Sequence, residues 1–329
     1  MIGFATSFAW AMVILSITMT VVAFGLWFER KFAARMGSRL GPTIVGPFGL
    51  LQPFADVVKL LQKEDIVPDN ADRALFNMAP LLGAVCALGA SAVIPFTPSM
   101  IPADLDVGVL FVLAIGAVNV LPVLAAGWAS NNKFALLGGM RAVAQAVSYE
   151  VPLVLSALVP VVIAGTMNVN EIVKYQAERG WLVSWPHFWL GIPAFALFFV
   201  SMLAEANRIP FDIPEAESEL VAGVTTEYTG MKFGLFYMTE YVHTLVASGI
   251  AAALFLGGWS GPGPDGLHWL LLKTFVLFFG VYWIRWTLLR FRSDQLLKLC
   301  WHYLVPLGVL MVGAAGAYVV LGKVPGANG

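Results

Sequence analysis

Long apolar runs at about 8–28, 74–94, 107–129, 142–165, 188–204, 235–257, 270–290 and 301–321 set the pattern of this chain, and most polar positions fall in the connections between them. A helix needs ~20 apolar residues to cross the hydrocarbon of a bilayer. None of the runs alternates apolar with polar positions as barrel strands do. The pattern predicts an all-α polytopic membrane protein with about eight transmembrane helices. No composition break or repeat of fixed period divides it, so residues 1–329 are expected to form a single membrane domain. The first run lacks the basic flank and small-residue cleavage site of a signal peptide and reads as a retained span.

The connections add a direction. All Lys and Arg except Lys174, Arg179, Lys273 and Lys323 lie in or beside the connections 29–73, 130–141, 205–234 and 291–300. Basic residues concentrate in cytoplasmic loops, so these connections are expected inside, with both termini outside. The first of them contains Gly41-Pro42 and Gly46-Pro47, which impose turns. Beyond the turns Leu50, Leu51, Phe54, Val57, Val58, Leu60 and Leu61 gather on one side of a possible helix, with Gln52, Asp56, Lys59 and Lys63 on the other. That division suits an amphipathic helix lying at the interface, either as a plain anchor or as the lip of an entrance for a membrane-dissolved ligand. On the other side, 166–187 carries Glu171, Lys174, Glu178 and Arg179 at helical spacing, then Trp181 and Trp185, and reads as a short surface helix without chemistry.

The stretch from Leu203 to Tyr241 departs most from the rest. Glu205, Asp212, Glu215, Glu217, Glu219, Glu227 and Glu240 face only Arg208 and Lys232 there, between two apolar runs. A charged carboxylate in hydrocarbon costs at least ~2.5 kcal/mol on insertion scales, so such groups line hydrated cavities or the bundle interior and mark proton or ligand sites. A solvated acidic loop is the alternative for 212–219. Glu205 and Glu240 adjoin or enter apolar runs, where the functional reading is stronger. Glu150 is a third candidate: it lies inside an apolar run beside the polar positions Arg141, Gln145, Ser148 and Tyr149, two residues before Pro152, whose ring frees a backbone carbonyl.

Composition narrows the classes. With 59% hydrophobic and 12% charged residues and a formal net charge of −1, a soluble core in a charged shell is excluded and nucleic acid is not indicated as a partner. Cys86 and Cys300 are far apart and suggest neither a disulfide nor an iron–sulfur ligand set. His187, His243, His268 and His302 show no metal-ligand spacing and suggest packing or interfacial roles. Phosphate-binding, dinucleotide-binding and nucleophile-elbow motifs are absent. Any redox centre is therefore expected outside this chain, which holds no catalytic residue alone.

The motifs ERK at 29–31, RLGP and GPFGLLQPFADVVKL through 39–60, RAVAQAVSYEVP at 141–152, EANRIPFDIPEAESELVAG at 205–223, TEYTGMKF at 226–233 and LRFRSDQLLKL at 289–299 run through most of the chain in order. On them the chain resembles the quinone-site membrane component of respiratory complex I (NADH:quinone oxidoreductase), its H-type subunit. It departs from the family's usual pattern at Gly37, at Gly41-Pro42-Thr43 and at Leu289. The resemblance implies a long structured acidic cytoplasmic loop after the fifth span, packed on the peripheral arm to complete a quinone chamber. Glu29, Arg30, Arg39, Asp56, Arg208, Phe211, Asp212, Arg290 and Arg292 would line that chamber or its entrance. Glu150, Glu205, Glu215, Glu217, Glu227 and Glu240 would form an acidic path toward the antiporter-like subunits. Quinone (ubiquinone or menaquinone) is the implied substrate, with FMN, NADH and iron–sulfur clusters held by partner subunits. The implied partners are the peripheral-arm quinone-site and iron–sulfur subunits and the small and antiporter-like membrane subunits, in a bacterial inner membrane. The rival readings are a membrane anchor of an energy-converting hydrogenase, an independent proton-coupled carrier and a purely structural docking subunit.

Overall fold

A computed structural model describes residues 2–184, 187–214 and 217–321, apart from the side chains of 2–11, 14, 217 and 218. Within them the chain is helical, without strands. The helices are α1 (Ile2–Met36), α2 (Gln52–Gln62), α3 (Arg73–Ser91), α4 (Gly108–Val118), α5 (Val120–Ala129), α6 (Lys133–Ala164), α7 (Val169–Arg179), α8 (Phe188–Glu205), α9 (Glu217–Leu220), α10 (Gly230–Phe255), α11 (Leu267–Thr287), α12 (Ser293–Leu299) and α13 (Val305–Val320). Among the described residues, seven stretches are long and apolar enough to cross a membrane: α3, α4 with α5, α6, α8, α10, α11, and α12 with α13. The run expected at 8–28 lies inside the 35-residue α1.

Two spans begin earlier than hydropathy suggests. Helix α6 starts at Lys133 because Asn132 accepts a hydrogen bond from the Phe134 amide and caps it. The last span starts at Ser293, where Gln295 reaches back to the Arg292 amide and Asp294 complements the helix dipole. Apolarity marks where a helix enters lipid; caps mark where it begins to coil. The span then passes through a π-helical turn at Cys300–Leu304, just before Pro306.

Proline chemistry also joins α6 to that last span. Pro152 has no N–H for the carbonyl of Ser148, and the Cys300 thiol donates to it at 2.9 Å. One residue on, the Tyr149 hydroxyl donates to the Leu296 carbonyl at 3.1 Å. The carbonyl expected to be free is thus taken by one of the two cysteines, which sits buried as a small core residue.

Helix α10 is the axis of the bundle, with Tyr241, Val242, Thr244 and residues 248–255 almost wholly buried. Its ends are held by other elements. On the side of the 205–234 connection, Thr229 accepts from the Ile66 amide and donates to the Glu64 carbonyl, while Lys232 pairs with Asp65 at 2.7 Å. These contacts seat the end of α2 on α10. The face of α2 carrying Phe54, Val57, Val58 and Leu61 stays exposed, as an interfacial helix requires. At the opposite end, Gln176 of α7 donates to the carbonyls of Ala253 and Leu254, and Lys273 to those of Gly258 and Ser260. The short helix expected in 166–187 is α7. Trp181 packs beneath the Lys273 ammonium, 4.3 Å from it, and Trp185 lies outside the described residues.

Candidate functional site

Charged groups run into the bundle from the loop side. Glu29, the first residue of α1 past its apolar run, is only 4% exposed. Its Oε1 accepts from Arg285 at 2.6 Å, and its Oε2 accepts from the Tyr241 hydroxyl. Across Tyr241 lies Arg208, 3% exposed, with its guanidinium carbon 4.6 Å from the Tyr241 ring centroid and 5.9 Å from that of Tyr282. Its Nη2 is 3.4 Å from Glu240 Oε2. Each buried ion forfeits several kcal/mol of hydration, on the order of what a good partner returns, so isolated charges are not tolerated here and pairs are. Arginine suits the position: its flat, weakly hydrated cation stacks on rings while still facing a carboxylate.

Beyond Glu240 the line becomes a pair of cavities. One, of about 60 Å³, is bordered by Glu240, Glu205, His243, Thr239, Asn207 and Asn119. The other, of about 40 Å³, shares Glu205, His243 and Asn119 with the first, but its remaining walls are almost entirely apolar. Glu205 ends α8, and its Oε1 stands 3.4 Å from His243 Nε2. Gly116 gives Glu205 room against α4, since a Cβ there would sit 2.5 Å from Oε1 and displace the carboxylate. Just past Gly116, α4 gives way to α5 at Asn119. Glu150 of α6 lies within electrostatic reach of Glu205.

The connection from 206 forms the lid of this interior. Gln145 donates to the Ala204 and Phe211 carbonyls at 2.6 and 2.8 Å and to Asn207 at 3.1 Å, fixing the turn that delivers Arg208. Phe211 is buried against Tyr149 and Phe291, and the Phe291 amide donates to the Pro210 carbonyl at 2.9 Å. Farther along, Gly138 of α6 lets the loop backbone come close: a Cβ there would lie 2.9 Å from the Pro214 oxygen. Glu219 then takes hydrogen bonds from Arg141 at 2.6 Å and Arg290 at 3.1 Å. The Arg141 hydrogen bond foremost, with both guanidinium charges beside it, holds the Glu219 carboxyl below the usual carboxylate range.

The structure thus gathers Glu29, Arg208, Phe211, Glu240, Glu205 and Glu150 into one region, with Asp212 half-buried in the loop above it. Arg30 pairs with Asp56, tying α1 to α2 on a more exposed face. Arg290 joins the Glu219 tether. Other expected residues lie apart. Arg39 is exposed, and Arg292, with 78% of its side chain exposed, pairs with Asp294 at 3.2 Å. Glu227 accepts from Asn132 at 2.6 Å in an open surface cleft with Asp69 and Lys133. Glu215 lies outside the described residues, as does the side chain of Glu217. Tyr241 and Tyr282 carry no signal in the sequence, since tyrosine counts as apolar, whereas Arg285 reads there either as a membrane anchor or as a cation facing the acidic loop. A cation a turn inside an apolar helix end was the available signal.

Buried ion pairs threaded through an all-helical bundle define a polytopic membrane protein with an interior polar path. A family model described as NADH dehydrogenase matches residues 9–315. The chain is 46% identical over 317 residues to the H-type subunit of the NADH-quinone oxidoreductase of Thermomicrobium roseum, covering 92% of this chain and 93% of that protein. It is 44% identical over 324 residues to its counterpart in Chlorobaculum parvum, covering 92% of this chain and 89% of that protein. With the counterpart in Rhodospirillum rubrum it shares 45% over 306 residues, covering 91% of this chain and 89% of that one. The chain belongs to the NADH dehydrogenase family, among the H-type subunits of NADH-quinone oxidoreductase.

Proposed function

We propose that this protein forms a quinone chamber with the peripheral arm and couples quinone reduction to proton translocation through its buried glutamates. The observation that carries the reading is the continuity of the interior line: Arg285, Glu29, Tyr241, Arg208 and Glu240 touch in sequence, and a cavity links Glu240 to Glu205. In this reading quinone enters over the apolar face of α2. Its headgroup meets Arg30 and Arg39 near the mouth, and Glu29, Asp56, Phe211, Asp212, Arg290 and Arg292 complete the chamber and its rim.

Reduction of a quinone takes two electrons and two protons. The electrons come from an iron–sulfur cluster in a partner subunit, whose FMN and NADH chemistry this chain does not share. This chain contributes the protons and the field. Arg208 lies between Glu240 and the tyrosine that binds Glu29, so a change of charge at the chamber shifts its balance between the two carboxylates. A carboxylate that loses its cation holds a proton more tightly, and one that gains it lets go. Glu150, Glu205 and Glu240 pass protons as one set in this scheme, not singly. Glu215, Glu217 and Glu227 extend the path on the loop side. The complex sits in a bacterial inner membrane, with the basic connections cytoplasmic and both termini outside.

The test is Glu205→Gln and Glu150→Gln in the assembled enzyme. Proton-coupled quinone turnover falls in each while the amount of assembled complex stays at the parental level. Full pumping in both variants refutes the assignment of these carboxylates.

A further inference from the structure

His243 is the residue in this interior that neither sequence motifs nor the acidic path accounts for. It lies one turn after Glu240 on α10 and is 8% exposed. Its Nε2 faces Glu205 across 3.4 Å, slightly longer than a formed hydrogen bond. Its Nδ1 is buried without a hydrogen-bond partner, as is Oδ1 of Asn119, which lines the same two cavities. Unsatisfied buried polar atoms at a shared boundary mark a place where water, or a shifted side chain, completes the bonding.

The two cavities differ in what they can hold. The one toward Glu240 offers carboxylates, hydroxyls and amides, enough partners for a few waters in about 60 Å³. The one beyond the pair meets polar side chains only at the shared boundary, at Glu205, His243 and Asn119, and its remaining walls, residues such as Val109, Ile115, Phe198 and Met202, are apolar. Glu205 and His243 therefore stand where a hydrated space meets a dry one.

We infer that His243 is the proton-carrying partner of Glu205, taking the proton at one ring nitrogen and presenting the other to the far side of the boundary. The inference rests on the proton-path reading of Glu205 given above. The step is a simple transfer: neutral Glu205 gives its proton to the neutral imidazole, leaving carboxylate and imidazolium paired, and the reverse step restores both. An imidazole can perform it because its two nitrogens bind protons independently. A continuous water file would leak protons, whereas a side chain carries one per excursion. Of the elements packed on α10, α8 presents Glu205 and α3 presents Cys86 to this site. Glu240 faces the hydrated cavity from α10 itself. Glu150 acts on the site through Glu205. Glu29 and Arg285 are engaged with one another beside Tyr241.

His243→Gln and His243→Leu in the assembled complex test this. Gln keeps most of the volume and polarity but cannot hold the extra proton, and Leu fills the space without polarity. In both, proton-coupled quinone turnover falls severalfold, and its pH profile departs from the parental one. Parental turnover with an unchanged profile in His243→Gln overturns the inference. That result beside a defective Glu205→Gln leaves the broader function standing, whereas intact pumping in Glu205→Gln and Glu150→Gln as well removes it. Should neither histidine variant assemble, redox-difference infrared spectra of the parental complex decide. Imidazole bands that change on quinone reduction support the transfer, and unchanged imidazole bands refute it.

Discussion

Arg208 shows how a single buried residue can hold opposing demands together. Its cation is stripped of water, so Glu240 and the faces of Tyr241 and Tyr282 must replace the lost hydration. Removing the cation is correspondingly costly. Arg208→Leu leaves Glu240 facing an apolar side chain and weakens the electrostatic setting of Glu29, and breaking a buried pair from one side costs about 3–5 kcal/mol. The expected outcome is a large fall in assembled complex, or in its thermal midpoint if it assembles. Arg208→Lys retains the charge without the planar stacking and is expected to assemble better than Leu. Equal stability of Arg208→Leu and the parent would overturn the view that the guanidinium is needed to balance Glu240.

At the scale of elements, the attachment of α2 to α10 depends on one small hydroxyl. Thr229 joins residues 163 and 165 positions away to the start of α10, accepting from Ile66 and donating to Glu64. Thr229→Val keeps the shape and removes both bonds, a loss of about 1–3 kcal/mol at about 0.5–1.5 kcal/mol for each. Hydrogen exchange in 52–66 is expected to quicken, and quinone turnover to fall, with the rest of the bundle unchanged; exchange at the parental rate would show that the close approach of Leu60 to Gly234 of α10 and the Lys232–Asp65 pair suffice. The helix itself was legible from alternating faces at 50–63, because an interfacial helix writes its environment into its sequence. Its anchorage was not, since Thr229 makes no pattern with anything near it. The same division holds elsewhere. The carbonyl freed by Pro152 could be read locally, but the thiol of Cys300 that takes it comes from 152 positions away. Glu205 and Glu240 stood out as charges in apolar runs, whereas His243 and Tyr241 passed as ordinary interior residues. Glu227, placed on the acidic path by resemblance, accepts from Asn132 in an open cleft, while Val224 and Tyr228 on either side of it are buried.

For the molecule as a whole, the loop side behaves as a clamp whose closure depends on ionised carboxylates. The connection over the interior is fastened at its start by Gln145 and Phe291 and farther on by Glu219 to Arg141 and Arg290, drawn from α6 and the chain after α11. The first fastening carries no titrating group; the second does. Because the two arginines favour ionised Glu219, its folded-state proton affinity is lower than in an unfastened loop. The sign follows by linkage: the tether contributes fully above the ordinary carboxylate range and is lost as the pH falls through the lowered folded value. Half of the Glu219 side chain is exposed, so the tether is also screened by salt. Hydrogen exchange in 217–224 is therefore expected to accelerate on acidification below the ordinary carboxylate range and, at neutral pH, on raising ionic strength. Exchange around 206–211 should respond less, since Gln145 and Phe291 hold it through neutral hydrogen bonds and the guanidinium of its ion pair, Arg208 with Glu240, is buried. Glu219→Gln should show the faster exchange already at neutral pH and no further acid response. An acid response that survives in Glu219→Gln would place the titrating group elsewhere in the clamp, with Asp212 the next carboxylate to replace.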